Sequence, residues 1–314
     1  MTSAQDCTRG ELAIGLQLTR PGGGPDAAHA AGLAAEAAAR AAGVHIREIT
    51  ELDVLAAVYR LYDGIWRPDP KNAPVTTELL RALTKAGNYV SGAFDGGVLV
   101  GACVGFFSAP AGAAMHSHIA GVAPVALGRN VGFALKLHQR AWAMRHGVSH
   151  IAWTFDPLVS RNAYFNLAKL GATADEYLPN FYGGMNDAIN GDGDTDRLLV
   201  QWDLYSEDVA AACSGRVRIR SAEAERSLGA AVALGRSPEG KPVPGTLTGE
   251  TILVAVPPDI EVLRAADPDC AHAWRLAVRD VVCPVMAAGW HVAGFDRSGW
   301  YVITRRSTEQ ENSR

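Results

Sequence analysis

The chain has 314 residues, a formal net charge of −4 and 48% hydrophobic residues. This hydrophobic content can fill a sizeable core, which excludes a wholly disordered chain, and the length suits one large domain or two small ones. The slight acidity argues against a nucleic-acid binder, which normally presents a basic face. The longest apolar run, Val98 to Phe107, is about half as long as a bilayer-spanning helix, so we expect no membrane partner.

Five cysteines are scattered along the chain and form no C-x-x-C pair. Their odd number and wide spacing fit neither a disulfide framework nor a zinc ribbon. Reduced thiols are typical of cytoplasmic proteins, and the N-terminus lacks the continuous apolar region of a secretory signal. We therefore expect a cytoplasmic protein.

The sequence pattern divides the chain into four parts. Residues 1–43 combine a Pro/Gly break with an alanine-rich stretch, which is typical of a flexible leader that ends in a marginal helix. Residues 44–205 alternate predicted strands and helices, residues 206–306 form a C-terminal extension, and residues 307–314 read as a disordered tail.

Hydrophobic periodicity and turn signals predict the elements in chain order. In the larger part they are a strand at 45–49, a helix from Asp53, a helix over 76–86, a hairpin of 88–94 and 98–107, a strand over 115–122, a helix over 132–146, a strand over 151–155, a helix from Ser160 to Gly171 and a strand over 198–204. In the extension they are strands over 216–220 and 251–256, a helix from Asp267 to about 288, and a hairpin of 290–295 and 300–304. This order predicts an α/β (α+β) fold, in which helices flank a mixed, mostly antiparallel sheet and a smaller α/β extension follows.

The stretch from Val122 to Ala134 passes from a predicted strand through a turn into a helix. A helix N-terminus offers unpaired backbone N–H groups and the positive end of the helix dipole. Gly132 and Ala134 leave room for phosphate oxygens, and Arg129 adds a positive charge. From these residues alone, a phosphate cradle and the ordinary packing of a helix start are both open.

Two motifs in this part resemble a known family. Arg-x-x-Gly-x-Ala, from Arg129 to Ala134, resembles the pyrophosphate signature of the Gcn5-related N-acetyltransferase (GNAT) superfamily, and the stretch from Ser160 to Ala172 is similar to that family's later helix. The resemblance covers about 44–205. It implies the GNAT fold, with an acyl-CoA in a V-shaped gap between the strand ending near Val122 and the strand over 151–155.

The resemblance also implies the contacts of acetyl-CoA or another acyl-CoA, with no metal required. Backbone groups at the end of the first of these strands would pair with pantetheine, and the following turn and helix start would hold the pyrophosphate. The cofactor-binding residues implied in this way are Gly121, Val122, Arg129, Asn130, Val131, Gly132, Phe133, Ala134 and Asn162.

A pair of histidines is the candidate for proton transfer from the acceptor. Acylation of an amine needs a base whose pKa lies near the working pH, and histidine titrates in that range. His116 and His118 lie on one face of a predicted strand, because side chains alternate along it. We predict His118 as the base and His116 as a substrate contact. A hydrogen-bonded structural pair and a two-histidine metal site are the alternatives.

Three further residues are candidates at the mouth of the predicted gap. Asp156 follows a strand, where it either binds the amine of the substrate or caps the turn into Pro157. Tyr182, in a Gly-rich loop, and Tyr164 are candidates for protonating the departing thiolate. The family's usual helix tyrosine falls at Leu167, so no role is transferred by position, and packing is the alternative for a loop tyrosine.

Two charged groups have weaker functional interpretations. Asp192 to Asp196 superficially resembles a calcium loop, but its sixth position is Arg197 and a strand follows, which favours a solvated turn. Arg275 and Arg279 lie on a predicted helix, where they either bind a substrate carboxylate or form salt bridges.

Together these observations predict an acyl-CoA-dependent N-acyltransferase. It would move an acetyl or other short acyl group directly to a small amine or amino-acid-like metabolite. We expect no nucleic-acid partner, and a homodimer is open. The alternatives are a catalytically silent acyl-CoA sensor and an O-acyltransferase.

Overall fold

The computed structural model describes residues 25–67, 75–109, 114–183, 193–216 and 219–305. The helices are α1 (Pro25–Ala41), α2 (Leu52–Trp66), α3 (Thr77–Lys85), α4 (Val131–Arg145), α5 (Ser160–Ala163), α6 (Glu207–Cys213), α7 (Ala222–Ser227), α8 (Ile260–Ala266) and α9 (Pro268–Ala287). The strands are β1 (His45–Glu48), β2 (Tyr89–Asp95), β3 (Val98–Phe107), β4 (Ala114–Val122), β5 (His150–Phe155), β6 (Thr173–Leu178), β7 (Arg197–Asp203), β8 (Ala231–Arg236), β9 (Pro242–Pro244), β10 (Thr251–Ala255), β11 (Trp290–Asp296) and β12 (Trp300–Arg305). A 3-10 turn spans Pro124–Ala126, and a π-helical segment, Tyr164–Lys169, continues α5.

The first sheet has the strand order β1-β2-β3-β4-β5-β7-β6. Strands β1 to β4 form an antiparallel meander, β4 and β5 run parallel, and β5, β7 and β6 are again antiparallel. The sheet is therefore mixed and mostly antiparallel, as the sequence predicted.

Helices cover both faces of this sheet. On one face, α2 and α3 pack against β2 and β3, and the residues buried there include Ile49, Leu55, Val58, Tyr62, Leu80, Val90, Ala102 and Val104. On the other face lies α4, with α1 packed along it. The small buried side chains of Ala31 and Ala35 let these two helices approach closely. Helix α4 is therefore buried between α1 and the sheet.

The helix predicted at the end of the leader is present as α1, but its packing against α4 differs from the marginal helix that was expected. Propensity alone indicated a marginal helix with little to bury, but packing against α4 supplies stability that propensity does not. Residues 1–24 and the predicted tail over 307–314 lie outside the described residues. The boundaries at 44–205 and 206–306 stay predictions.

The second sheet has the order β11-β12-β10-β8-β9, with β8 and β10 parallel and the other neighbours antiparallel. Helix α9 packs against this sheet and also against β6 of the first one. Buried residues of both sheets, among them Ile151 and Ile252, belong to one continuous hydrophobic core. The smaller α/β extension is confirmed, and it shares a core with the first sheet.

Several elements of the extension differ from the sequence prediction. Arg216, Ile219 and Arg220 do not lie in a strand, and residues 217–218 fall outside the described ranges. Strands β6, β8 and β9 and helices α6, α7 and α8 were not predicted. No helix in the described part of the chain is both long and apolar enough to cross a bilayer.

Candidate active site

The parallel strands β4 and β5 separate along their length. They pair only over Ala114–His116 and His150–Ala152, although β4 continues to Val122 and β5 to Phe155. Beyond His116 and Ala152 the facing edges of the two strands are not paired with each other. We call this opening the strand fork. Its free backbone groups can form hydrogen bonds with an extended ligand, as the open edge of a sheet does.

The N-terminus of α4 follows β4 after one short turn. Asn130 precedes the helix in a left-handed conformation, with φ of 61°. A side chain built at Gly132 would meet no atom nearer than Val122, at 3.7 Å. No neighbouring protein group therefore requires glycine at this position in the first turn, although glycine lowers helix stability. The bare backbone leaves this turn open to a ligand.

The strand order, the fork at β4 and β5 and the helix that follows β4 decide the architecture. The chain has the GNAT fold. This confirms the resemblance that the sequence motifs indicated, at the level of the fold.

Comparison with known proteins found no matching family model and no matching curated protein. Solved structures do resemble the chain. One is an acetyltransferase of the GNAT family from Streptococcus pneumoniae, with 14% identity and a TM-score of 0.41 over 50% of this chain and 97% of that one. The ribosomal-protein-S18-alanine N-acetyltransferase from Escherichia coli has 13% identity and a TM-score of 0.43, over 52% and 95%. YncA from Salmonella typhimurium, solved with its cofactor acetyl-CoA, has 19% identity and a TM-score of 0.43, over 52% and 95%.

Arg129 does not have the surroundings that the motif predicted. Its Nη1 donates to Asp95 Oδ2 at 2.7 Å, and its Nη2 donates to the carbonyl oxygens of Ala42 and Gly43 at 3.1 and 3.2 Å. These carbonyls directly follow α1, so the guanidinium fastens the end of α1 to the β2–β3 hairpin. Arg129 is a structural clamp in this conformation, and its predicted role as a phosphate ligand is not supported.

Lys169 and Arg297 supply positive charge near the start of α4 instead. Lys169 Nζ donates to Asn130 Oδ1 at 2.9 Å and lies 5.5 Å from the centre of the Phe133 ring. Burial and then the charge of Arg297 lower the pKa of Lys169. Among the described residues, neither cation is paired with a carboxylate, so an anion is the natural partner for both.

The sequence interpretation missed both of these cations. Lys169 belongs to the later-helix motif, so a signal for it was present. Arg297 lies on the loop between β11 and β12, with its guanidinium 5.7 Å from the ring centre of Tyr164. Only the packing of the second sheet against the first brings Arg297 to this place, and no local pattern reports that packing.

The other predicted cofactor residues lie along the fork and the start of α4. Val131 and Ala134 are buried, so they offer only backbone groups, while Val122, Phe133 and Asn162 are partly exposed. A side chain on Gly121 would lie 2.8 Å from the Trp66 ring. The packing of α2 therefore requires glycine there, whatever ligand the backbone contacts.

The two histidines are brought together by a bulge in β4. Ile119 pairs with Val104 and Ser117 pairs with Gly105, so His118 is the extra residue of a bulge in the register of β3 and β4. The bulge leaves His118 exposed, with its ring centre 6.3 Å from that of His116. β-bulges often re-aim side chains beside active sites. The bulge, rather than simple alternation, thus sets the relative position of the two rings, and the predicted roles of His118 and His116 stay predictions.

His116 is the weaker base of the two candidates by its surroundings. Burial, followed by the charges of His118 and Lys136, lowers the pKa of His116 to about 4. It is therefore neutral at pH 7 and accepts a proton poorly, which leaves the exposed His118 as the better candidate. The described residues contain no group of three or more His, Cys, Asp or Glu side chains placed to hold a metal.

Tyr182 lies on the same face of the sheet as His116. Paired residues of parallel strands point to one face, so His116 and Ala152 share a face, and Thr154, two residues further along β5, shares it too. The hydroxyl groups of Tyr182 and Thr154 are 3.1 Å apart. The structure thus brings Tyr182 to the histidine side of the fork. Tyr164 lies elsewhere, beneath Arg297.

Asp156 is not placed to bind a substrate amine. It is 7% exposed and receives two hydrogen bonds from Arg275, at 2.8 and 2.7 Å, and one from Arg264 at 2.6 Å. The backbone N–H of Leu158 also donates to its carboxylate, at 2.9 Å. Burial alone would raise the pKa of Asp156, but the two arginines outweigh burial and hold the pKa well below its usual value. These contacts fit the turn-capping alternative and give no support to the predicted role in binding the substrate amine.

Arg279 and the acidic turn bind each other. Arg279 donates to Asp196 at 2.9 and 2.5 Å and to Asp194 at 2.6 Å. Tyr177 also donates to Asp196, at 2.7 Å. Asp194 and Asp196 of the apparent calcium loop therefore join α9 to the first sheet, while Asp192 lies outside the described residues. The salt-bridge interpretation of Arg275 and Arg279 is confirmed.

Proposed function

We propose that this protein is an acyl-CoA-dependent N-acyltransferase that acts on a small amine or amino-acid-like metabolite. The observation that carries the proposal is the strand fork, with His118 and Tyr182 on one side of it. Beside the start of α4 lie Lys169 and Arg297, which have no carboxylate partner among the described residues. A cytoplasmic location and a homodimer stay predictions.

The fork and the helix start fit an elongated, anionic co-substrate. The open edge of β4 near Gly121 can pair with amide groups, as a neighbouring strand would. The first turn of α4 at Gly132 offers bare N–H groups, and Lys169 and Arg297 offer positive charges without carboxylate partners. These features suit the amide-bearing arm and the phosphates of coenzyme A.

Bound acyl-CoA would supply a thioester whose carbonyl carbon bonds to the amine nitrogen while the carbon–sulfur bond breaks, with one proton leaving the amine and one joining the thiolate. His118 would take the amine proton, directly or through a water molecule, because it is exposed at the bulge. Tyr182 would give the proton to sulfur, since its hydroxyl lies beside β5 on the same face. Backbone N–H groups near Val122 would bind the thioester oxygen.

A binding measurement tests the cradle. Gly132→Glu places a bulky negative charge in the first turn of α4, and we expect it to weaken acetyl-CoA and succinyl-CoA binding at least about 10-fold in calorimetry. Gly64→Glu is the matched control, because Gly64 lies in α2 and a side chain there meets nothing within 4 Å. Equal affinities of wild type and Gly132→Glu would rule out the cradle.

A turnover assay separates the three candidate activities. A screen of small amines that detects free thiol should show release of coenzyme A that depends on the amine. Binding without release would identify a sensor instead. Mass spectrometry of the product would then distinguish an amide from an ester, which is the product of an O-acyltransferase.

A further inference from the structure

Lys136, in α4, is a buried cation that has no acidic partner in the part of the chain that the structure describes. It is 4% exposed, and its Nζ donates to Ser117 Oγ at 3.0 Å and to Gln139 Oε1 at 2.8 Å. Among the described residues it forms no ion pair with a carboxylate. Lysine is rarely this deeply buried unless an opposite charge accompanies it. The side chain therefore needs an explanation beyond packing.

The position of Lys136 relative to the fork suggests one. His116 and Ala152 are the last paired residues of β4 and β5, and the next residues are Ser117 and Trp153. Both of these contact Lys136: the Nζ lies 3.0 Å from Ser117 Oγ and 3.7 Å from the centre of the Trp153 ring. The ammonium group thus fills the base of the fork from the α4 side, while the histidines lie on the opposite side of the sheet.

A neutral side chain would serve stability at least as well at this position. Burying an unpaired charge costs more than burying an apolar group of similar size, and contact with an aromatic ring offsets only part of that cost. Met is similar to Lys in length and carries no charge. Packing therefore does not explain the charge of Lys136, which lies where β4 and β5 separate.

We propose that Lys136 is a positioning residue for acyl transfer, whose fixed positive charge stabilises the negative charge that develops on oxygen and sulfur at the strand fork. This inference rests on the proposed function. Lys136 would act by the electric field of its charge across the thickness of β4, and it would transfer no proton. A charge held in a low-dielectric interior acts strongly over such a short distance, because no water rearranges to screen it.

The groups around Lys136 set its protonation. Burial lowers its pKa to about 8, and the nearby Cys103 thiol on β3 opposes this shift. Across β4 lie His116 and His118, and the charge of Lys136 contributes to the low pKa of His116. Trp153 and Trp202 on the neighbouring strands carry no charge. At pH 7 Lys136 is therefore mostly protonated, and it loses its charge as the pH rises above about 8.

Lys136→Met tests the proposal, because it removes the charge and keeps the volume. We expect kcat with acetyl-CoA and the best amine to fall about 10- to 30-fold, with acetyl-CoA affinity within about 2-fold of wild type. Ser117→Ala is the matched control: it removes one hydrogen-bond acceptor, keeps the charge, and should lower kcat less than about 3-fold. An unchanged kcat in a folded Lys136→Met protein would overturn the proposal.

The wild-type pH profile provides a test that does not need the variant to fold. Amines become better nucleophiles as the pH rises, so kcat should increase with pH if Lys136 plays no part. If Lys136 supplies charge, kcat should decline above about pH 8, and in Lys136→Met this decline should be absent. A wild-type kcat that rises without a break to pH 9.5 contradicts the role.

Histidine titration by NMR separates this inference from the proposed function, because it requires no turnover. The His116 signals, assigned with His116→Gln, should titrate at higher pH in Lys136→Met than in wild type, since a nearby positive charge is gone. If no amine is acylated but His116 shifts, the proposed function fails and the electrostatic coupling holds. If His116 does not shift, Lys136 does not act across β4.

Discussion

Two buried charged side chains beside the first sheet have opposite surroundings. Asp156, just after β5, is held by two arginines of α8 and α9. Lys136, at the base of the fork, has hydrogen bonds and aromatic rings but no described carboxylate. The first arrangement satisfies its charge and joins two sheets. The second leaves the charge of Lys136 available to act on a bound ligand. Pairing with an opposite charge, rather than burial, therefore distinguishes structural charges from functional candidates.

The largest expected effect on stability comes from a substitution at Asp156, the paired charge. Asp156→Ala leaves Arg275 buried without its partner, and we expect the free energy of unfolding to fall by about 3–5 kcal/mol. Urea unfolding at pH 7 measures this. Asp175→Ala, at an exposed position of β6, is the control and should change stability by less than about 0.5 kcal/mol. A loss below about 1 kcal/mol for Asp156→Ala would show that the pair is not structural.

The unpaired site should respond in the opposite direction. The pKa of Lys136 is lower in the folded chain than the usual 10.5. Below about pH 8 the protonated side chain therefore favours the unfolded state and lowers the free energy of unfolding. Lys136→Met should therefore be equally stable or up to about 3 kcal/mol more stable at pH 7, with a smaller gain at pH 10. Thermal and urea unfolding at both pH values check this. A clear loss of stability at pH 7 would place Lys136 with the structural charges.

The smallest effect is expected at Arg129, which is paired but partly exposed. Its ion pair with Asp95 is screened by solvent, so Arg129→Gln should lower the free energy of unfolding by only about 1 kcal/mol. Because the guanidinium also holds the carbonyls after α1, amide hydrogen exchange in α1 should rise in this variant. If acetyl-CoA affinity falls about 10-fold instead, Arg129 is a phosphate ligand after all.

Elements with strong local signals were predictable from the sequence. Gly96 and Gly97 adopt positive φ in the turn between β2 and β3, as the Asp-Gly-Gly signal requires. Strand β6 was missed because Asp175 and Glu176 are unusual in strands, and its place at the sheet edge is set by pairing with β7. The sequence predicted only a marginal helix at α1, because the stability of α1 comes from contact with α4.

The candidate site was predictable in outline only. The motif located the start of α4, and the histidine spacing located the strand that carries the candidate base. The motif's arginine was assigned to a phosphate, whereas Asp95 and the end of α1 bind it in the structure. Arg297 lies on the loop between β11 and β12 and Arg275 on α9, and the sequence analysis did not single out Lys136. Their roles depend on packing between distant segments, which local sequence patterns do not encode.

The bond between Asp156 and Arg275 also constrains how the chain is made. Arg275 follows Asp156 by 119 residues, so a ribosome completes the first sheet's central strands long before their ionic partner emerges. Until then the Asp156 carboxylate must stay hydrated, and the end of β5 cannot close. We therefore expect a nascent chain that stops short of α9 to remain incompletely folded, and the synthesis of α9 to govern when the first sheet matures.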